Sequence, residues 1–295
     1  MISIIITAYK EEKTIGKAIE SFASQKIKEE LEILVACPDI ETKKVIDEYS
    51  KKYPFVKHIQ DPGEGKPTAL NICFKQAKGN IIVMSDGDVY VSPNSINELL
   101  SKLKEPKIGA ITGRPVSTNS RLSMFGYFSH LLTDIGAHDT KKKYVEQGKF
   151  IVVSGYLFAM KKLFTEIPKN ALSDDAVISH MIHEKGYKIA YAPEAKVFVK
   201  FPTNFKDWIK QKKRSAGGFN QLKEFFPNQK RMRSFTEEIK EGWYKPFTYP
   251  RNIKEFIWTI MLYFLRLYLW AVIYWDLNIK KKSFKDVWVR VESTK

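Results

Sequence analysis

The chain has 295 residues, 44% of them hydrophobic and 28% charged, a balance that excludes a disordered or fibrous protein. This length allows one large α/β domain with appendages and a buried core. Lysine and arginine number 49 against 33 aspartates and glutamates, and the resulting net charge of +16 favours polyanionic partners: nucleic acid, anionic lipid headgroups or phosphorylated substrates.

The first hundred residues predict alternating strands and helices, because short β-rich runs are separated by stretches with helical spacing of apolar residues. This alternation favours a doubly wound, mostly parallel sheet with right-handed crossovers. The predicted strands are 2–7, 32–36, 56–59 and 81–85, and the predicted helices are 13–24, 42–52, 67–78 and 92–103.

Further strands are expected after residue 108, at 109–116, 150–160, 188–192 and 196–199, with helices in 117–149. A helix over 173–185 opens with two aspartates and is closed by Gly186. His180 and His183 lie one turn apart on it, but no third zinc ligand is near in sequence, so we interpret them as surface histidines.

The character of the chain changes near residue 204. A basic helix is predicted over 206–214, and 256–275 is apolar and aromatic apart from Thr259 and Arg266. That segment is long enough to cross a bilayer, fits an interface helix equally well, and a buried core helix is the third alternative. Glu255, Thr259 and Arg266 are expected to share a narrow polar stripe, and basic residues on both sides (251–254 and 280–282) leave its orientation open.

Asp86-Gly87-Asp88 directly follows the predicted strand 81–85. Two carboxylates at the carboxyl end of a parallel strand suit a divalent cation that also binds phosphates, although Asp and Gly are ordinary turn residues as well. Asp174 and Asp175 likewise have two explanations, a catalytic base or the capping of a helix. Lys66 either binds phosphate or is an ordinary solvated loop lysine.

Three segments follow one another along the chain: SIIITAYKEE (3–12), GKPTALN (65–71) and MSDGDV (84–89). Together and in this order they resemble the inverting family 2 glycosyltransferases with the A-type (GT-A) fold. Further on, Ser173-Asp174-Asp175 is similar to the acidic pair that holds the catalytic base of the family. The 200–215 region is similar to the Gln-x-x-Arg-Trp segment of its membrane-bound polysaccharide synthases, with Ser215 in place of the tryptophan.

The resemblance implies a metal-assisted, hexosyltransferase-type enzyme that moves a sugar from a nucleoside diphosphate, expected to be UDP, to a hydroxyl acceptor. Asp175 is the implied general base with Asp174 beside it, and Asp88 with Asp86 the implied ligands of Mn²⁺ or Mg²⁺. Nucleotide-sugar contacts are expected from Thr7, Ala8, Tyr9, Glu11, Asp39, Lys66, Asp86, Gln211 and Arg214.

We therefore expect a GT-A catalytic domain over 1–218 and a basic, aromatic helical region over 219–295 that contacts the membrane through 256–275. A glycan or lipid-linked acceptor is expected, with polyprenyl phosphate as an alternative. Cys37 and Cys73 are too few for a disulfide framework, and residues 2–6 already form a strand rather than a leader. From these features we expect the protein at the cytoplasmic face of the membrane, peripheral or with a single span.

A different class of function is a basic protein that binds nucleic acid or membranes without catalysis. The charge of +16 is compatible with it, but the sequence has no nucleic-acid recognition motif, so no nucleic-acid partner is expected.

Overall fold

A computed structural model of the protein describes residues 1–228, 244–276 and 294. The chain forms two compact units, one built from residues 1–116 and 144–199 and the other from residues 117–143 and the described residues from 200 onward. These unit boundaries divide the chain differently from the expected boundary after residue 218, which stays a prediction for the extent of the catalytic domain. The basic residues 280–282 lie outside the described part.

The first unit contains one mixed eight-stranded sheet in the order β3-β2-β1-β4-β7-β6-β8-β5. Strand β1 pairs with β2 and β4, and β2 with β3, all in parallel, whereas β7 runs antiparallel to both β4 and β6. The predicted α/β, doubly wound and mostly parallel architecture is confirmed. The strands are β1 Ile2–Thr7, β2 Leu31–Cys37, β3 Val56–Gln60, β4 Ile81–Asp86, β5 Tyr90–Val91, β6 Ile108–Ser117, β7 Leu157–Lys161 and β8 Lys188–Val199.

Strand β1 is buried on both faces, since Ile4, Ile5 and Ile6 are all fully inaccessible to solvent. Such a continuous apolar run is typical of a parallel strand covered by helices on both sides. Its last residue, Thr7, lies in register with Ala36 of β2 and Asp86 of β4. The carboxyl ends of the three central strands therefore meet at one edge of the sheet.

Helices of the first unit cover this sheet and follow the predicted pattern, with ends shifted by a few residues. The exception is the fourth helix, which begins at Ser95 rather than at residue 92, because Asn94 has a left-handed backbone (φ 65°) that no α-helix accommodates. The helices are α1 Ile15–Ala23, α2 Ile40–Lys52, α3 Lys66–Gln76, α4 Ser95–Leu103 and α7 Asp174–Glu184.

Three expectations for the first unit were wrong. The strands predicted separately at 188–192 and 196–199 form one continuous strand, β8. Only Leu157–Lys161 of the predicted strand 150–160 is a strand: the N–H of Val153 binds Ser179 Oγ (3.0 Å) and that of Ser154 binds Thr112 Oγ1 (2.8 Å) instead of a strand partner. His180 is not a surface residue; it is 3% exposed, with its ring 5.0 Å from that of Phe150.

The second unit is helical, and its core joins three helices through aromatic and aliphatic side chains. Its elements are α5 Met124–Thr133, a π-helical segment Asp134–Asp139, α6 Thr140–Glu146, which runs on into the first unit, α8 Phe205–Phe225, a 3-10 turn Lys245–Thr248 and α9 Ile253–Tyr274. The buried core comprises Tyr127, Phe128, Leu131, Trp208, Leu262, Leu269 and Ile273.

Helix α9 corresponds to the apolar segment predicted over 256–275, and the expected polar stripe is present. Glu255 and Thr259 are buried, and Arg266 is half-buried on the same side. Arg121 donates two hydrogen bonds to the Glu255 carboxylate (2.7 and 2.9 Å), and Thr259 Oγ1 lies 2.6 Å from the hydroxyl of Tyr127. This face of α9 is therefore specified by polar contacts as well as by apolar packing.

We predict that Glu255 stabilises the second unit in a pH-dependent way. The hydrogen bond from Arg121 outweighs burial and lowers the pKa of Glu255 from 4.5 to about 2. Because the folded-state pKa is the lower one, this stabilisation is complete above the unfolded-state value near 4.5 and disappears as the pH falls toward 2. Glu255→Gln should therefore lower the free energy of unfolding by about 3 kcal/mol at neutral pH and by much less near pH 2.

Tryptophan fluorescence during denaturant unfolding is the measurement, because the sequence has no tryptophan before position 208 and the four in the described part, Trp208, Trp258, Trp270 and Trp275, belong to the second unit. The matched control is Glu224→Gln, which changes an exposed carboxylate on α8 and should cost less than about 0.5 kcal/mol. Equal effects of the two variants at neutral pH would contradict the prediction.

Candidate active site

The carboxyl ends of β1 and β4 bring the first group of predicted site residues together. Thr7 Oγ1 donates a hydrogen bond to Asp86 Oδ1 (3.3 Å), and the N–H of Gly87 donates to the carbonyl of Thr7 (2.9 Å). Asp86 is the last residue of β4, and Asp88 follows after one glycine; both are half-buried. The two carboxylates thus stand at the lip of the sheet, where ligands of doubly wound folds bind.

Lys66 is the cation of the site. It is the first residue of α3, after Gly65, whose positive φ of 104° suits glycine. Its Nζ lies 2.8 Å from Asp86 Oδ1 and 3.2 Å from Asp174 Oδ2. One ammonium group therefore bridges carboxylates that are 88 positions apart in the chain.

These charges shift each other's protonation. Burial disfavours the charged ammonium, but Asp174 and Asp86 outweigh it and raise the pKa of Lys66 above its ordinary value. Burial raises the pKa of Asp174, and the neighbouring carboxylates of Asp175 and Asp86 add to this, whereas Lys66 acts in the opposite direction. The carboxylates of Asp86, Asp174 and Asp175 thus all act on the single charge of Lys66, an arrangement that favours a bound cation.

Asp175, the second residue of α7, has a firmly oriented carboxylate. Its Oδ1 accepts hydrogen bonds from the Ser173 hydroxyl (2.6 Å) and the Ala176 N–H (2.9 Å), and its Oδ2 from the Gly155 N–H (3.2 Å). Sequence reasoning missed Gly155 as a site residue, since nothing in the local pattern marks it. Ser173 carries a signal, because a hydroxyl before a helix with acidic first residues is a common capping arrangement.

The loop after β1 contains the predicted residues Ala8, Tyr9 and Glu11. Ala8 is buried and Tyr9 is 47% exposed, while the N–H of Glu11 donates to Thr42 Oγ1 (2.9 Å). Lys10 between them has a left-handed backbone (φ 54°), and its N–H donates to Asp39 Oδ2 (2.7 Å). The loop is thus held in place by contacts from its backbone, and the aromatic ring of Tyr9 is accessible.

Asp39 caps helix α2. Its Oδ1 accepts from the Thr42 N–H (3.0 Å), in addition to the contact of its Oδ2 with Lys10. Burial acts to raise the pKa of Asp39, but these hydrogen bonds are stronger and hold it below its ordinary value. Both oxygens therefore have structural partners, and contact of Asp39 with a nucleotide stays a prediction.

Gly87 is required by close approach rather than by turn geometry. A Cβ atom at this position would lie 2.3 Å from Glu11 Oε2 and 2.8 Å from the Cβ of Ala8. The loops after β1 and β4 are therefore in direct contact, and any side chain at 87 would separate them. This contact explains why a glycine lies between Asp86 and Asp88.

The residues at this lip fit a divalent cation that shares its shell with a substrate. Thr7 and Lys66 both reach Oδ1 of Asp86, whereas Oδ2 receives no hydrogen bond from the part of the chain described. In the described part of the chain, no group of three or more His, Cys, Asp or Glu side chains could hold a metal ion by itself. Ions such as Mg²⁺ commonly bind one or two carboxylates and complete their coordination with phosphate oxygens and water.

Gln211 and Arg214 lie on α8 in the second unit, half-buried and three residues apart. The helical spacing places them on one side of α8, as expected. Their function as a clamp on diphosphate or acceptor stays a prediction.

Comparison with known proteins identifies the family. The family model described as "Glycosyltransferase like family 2" matches residues 1–218. The chain belongs to this glycosyltransferase family. Poly-beta-1,6-N-acetyl-D-glucosamine synthase of Staphylococcus aureus (strain COL) is 25% identical over 240 residues, which cover 79% of this chain and 58% of the synthase. The chain thus spans little more than half the length of the curated relatives it matches.

Solved structures agree on the fold. A mannosyltransferase from Pyrobaculum calidifontis, PcManGT, in complex with GDP-Man and Mn²⁺, has a TM-score of 0.60 at 15% identity, covering 97% of this chain and 82% of that protein. GalNAc-T7 with UDP, GalNAc and Mn²⁺ has a TM-score of 0.54 at 18% identity, covering 86% of this chain and 59% of that protein. Both similar folds bind a nucleotide together with Mn²⁺.

We predict that Lys66→Met lowers the free energy of unfolding of the first unit by about 2 kcal/mol, because Asp86 and Asp174 lose their shared counter-ion. Mn²⁺ should restore part of this loss, since a bound cation replaces the missing charge. Differential scanning calorimetry with and without Mn²⁺ is the measurement.

The matched control is Lys75→Met, on the same helix α3. Lys75 pairs with Glu166 at the surface, where both side chains are about 60% exposed, so its loss should cost less than about 1 kcal/mol and respond little to Mn²⁺. A Lys66→Met variant as stable as this control would show that Lys66 does not balance the carboxylates.

Proposed function

We propose that this protein is an inverting glycosyltransferase that moves a sugar from a nucleoside diphosphate sugar to a hydroxyl acceptor. The observation that carries the proposal is the cluster of Asp86, Lys66, Asp174 and Asp175, which joins the end of β4 to the start of α7. In this cluster Asp86, together with Asp88, is suited to bind a cation. Asp175 is a separate, oriented carboxylate suited to accept a proton. The family membership and the nucleotide-bound similar folds support the same reaction class.

The donor is bound at the carboxyl ends of β1 and β4. Tyr9, accessible at the end of β1, supplies an aromatic surface for the nucleobase, and Thr7, Ala8, Glu11 and Asp39 form the surroundings of the nucleoside. Lys66 supplies a fixed positive charge for the diphosphate. UDP is the nucleotide we propose, with GDP as the competitor, because a similar fold binds GDP-Man.

Asp88 and Asp86 are the residues that would hold Mn²⁺ or Mg²⁺, and an ion there supplies Lewis-acid stabilisation of the diphosphate leaving group. Their contribution in the protein is to fix two oxygen ligands at the lip of the sheet. In this proposal the diphosphate attracts the ammonium group of Lys66. Asp86, which is paired with Lys66, then becomes available to the cation.

Asp175 is the general base in this proposal. It accepts the proton of the acceptor hydroxyl while the acceptor oxygen forms a bond to the anomeric carbon; the bond from that carbon to the diphosphate oxygen breaks, and the nucleoside diphosphate leaves with the electron pair. Attack from the side opposite the leaving group inverts the anomeric centre. Ser173 and the Gly155 N–H position the base by holding its two oxygens.

The acceptor we propose is a growing polysaccharide or a lipid-linked glycan at the cytoplasmic face of the membrane, and polyprenyl phosphate is the alternative. Support comes from helix α9, long and apolar enough to cross a bilayer by length and composition, and from the likeness to a polysaccharide synthase. A basic protein without catalysis is the competing class; salt-sensitive DNA binding without any response to nucleotide sugars would favour it.

We predict that a UDP-sugar raises the melting temperature of the protein, and that the rise is larger with Mn²⁺ or Mg²⁺ than without. A ligand that binds only the folded state stabilises it by mass action. The measurement is a melting screen of UDP- and GDP-sugars with each metal and with a chelator. No response to any nucleotide sugar would reject the transferase assignment.

Asp175→Asn should abolish sugar transfer while leaving the donor-induced melting shift intact, because the amide cannot accept the proton but keeps the shape of the side chain. The measurement pairs product formation with donor-induced melting. Asp47→Asn, on the exposed side of α2, is the matched control and should transfer at the wild-type rate. Turnover by Asp175→Asn close to that of the control would reject the base assignment.

A further inference from the structure

Helix α9 exposes a broad apolar surface on the side away from its buried stripe. We call this the α9 outer face, defined by Phe256, Ile260, Phe264, Leu267, Trp270 and Tyr274. Phe264 is 67% exposed and Tyr274 64%, and most of the large hydrophobic side chains exposed in the described residues lie on this helix. An apolar patch of this extent is a sign of a partner.

The other side of α9 contacts the rest of the second unit from the start of the helix to its end. Glu255 binds Arg121 near the start, and Asp276, just past the end, forms an ion pair with Lys213 of α8. The ring of Tyr268 lies 6.0 Å from that of Phe205 at the start of α8. Since 205 contacts 268 and 213 contacts 276, α8 runs parallel to the second half of α9.

This arrangement is incompatible with a helix that crosses the bilayer. With 22 residues, α9 is about 33 Å long, so its middle lies near residue 264 and Tyr268 about 7 Å from it. A crossing would therefore carry the first two turns of α8 into the hydrocarbon layer, including the ion pair of Asp207 with Lys210 and the exposed Lys206. Charged side chains at that depth are unfavourable.

We propose that α9 lies in the plane of an anionic lipid surface, with its outer face inserted at the boundary between headgroups and acyl chains. In this orientation the apolar face is buried while the charges of α8 remain in water or among the headgroups. Trp270 and Tyr274 have the amphipathic rings typical of that boundary. This inference rests on the membrane contact in the proposed function and specifies how α9 is oriented in that contact.

Charge identifies the lipid surface as the occupant rather than a second copy of the chain. The net charge of +16 attracts anionic headgroups, whereas two copies of this protein repel each other. Arg251, just before α9, and Lys254, in its first turn, are exposed, so this end of the helix carries basic side chains that anionic headgroups attract.

The first test is flotation of the full chain with vesicles of phosphatidylglycerol and phosphatidylethanolamine, compared with phosphatidylcholine alone. Binding is expected to the anionic vesicles. Phe264→Ser combined with Leu267→Ser should weaken it about tenfold or more, because two exposed apolar side chains are lost from the inserted face. The control Ile40→Ser removes a side chain that is 66% exposed on α2 of the first unit and should bind like wild type.

The second test measures depth with spin labels at Phe256→Cys, Phe264→Cys and Tyr274→Cys on otherwise unmodified protein, whose Cys37 and Cys73 are both buried. An in-plane helix places the three labels at similar, shallow depths. A label at 264 near the bilayer centre, with 256 and 274 near opposite surfaces, would show a span and overturn the proposal.

Absence of vesicle binding together with concentration-dependent self-association, lost in the Phe264→Ser and Leu267→Ser variant, would also overturn it in favour of a second copy. The melting response to nucleotide sugars is a separate readout. A protein that responds to donors but ignores vesicles would therefore reject the membrane inference and leave the transferase proposal standing.

Discussion

The candidate active site depends on the ammonium group of Lys66. Its Nζ is shared by Asp86 and Asp174, and the nearby carboxylate of Asp175 adds to the raised pKa of Asp174. One lysine bound to two of three carboxylates holds the site together yet leaves it negative. In the proposed function a cation and a diphosphate would complete this balance, because the carboxylates would hold the cation and the lysine the diphosphate. The same charge arrangement therefore explains both how these side chains are held together and the proposed preference of the site for a metal-bound nucleotide sugar.

The segment that leads into the antiparallel strand β7 holds the proposed base, Asp175, at this site. Ser85 of β4 is in register with Leu157 of β7, and Ser85 Oγ donates to the carbonyl of Tyr156. Gly155 therefore lies beside the carboxyl end of β4, where its N–H holds Asp175. The pairing of β4 with β7 thus brings Gly155, which is distant in the sequence, close to Asp86. The carboxylate that would take a proton is positioned by the backbone N–H groups of Gly155 and Ala176 and by the short side chain of Ser173, all of which are more rigid than long side chains.

In the second unit, polar contacts decide which side of an apolar helix is turned outward. Burying Glu255 and Thr259 is favourable only where Arg121 and Tyr127 supply partners, so α9 has one orientation about its own axis. A stripe of leucines alone would tolerate rotation of the helix. Because this rotation is fixed, the outer face is a defined surface, and it is the defined surface that makes an in-plane lipid contact a specific proposal.

The sequence by itself determined the order and type of most elements of the first unit, because those signals are local: apolar periodicity, turn residues and helix-opening acids act within a few positions. It also brought Asp86, Asp88, Lys66 and Asp175 into one hypothesis through their resemblance to a known family. Only the tertiary structure decided that Lys66 bridges Asp86 and Asp174, that Gly155 holds Asp175, and that His180 is buried against Phe150. Those contacts depend on which strands pair and on how the helices pack, and such long-range choices leave no periodic trace in the sequence. The same holds for α9, where composition allowed three environments and our proposal chooses among them from the charged helix α8 beside it.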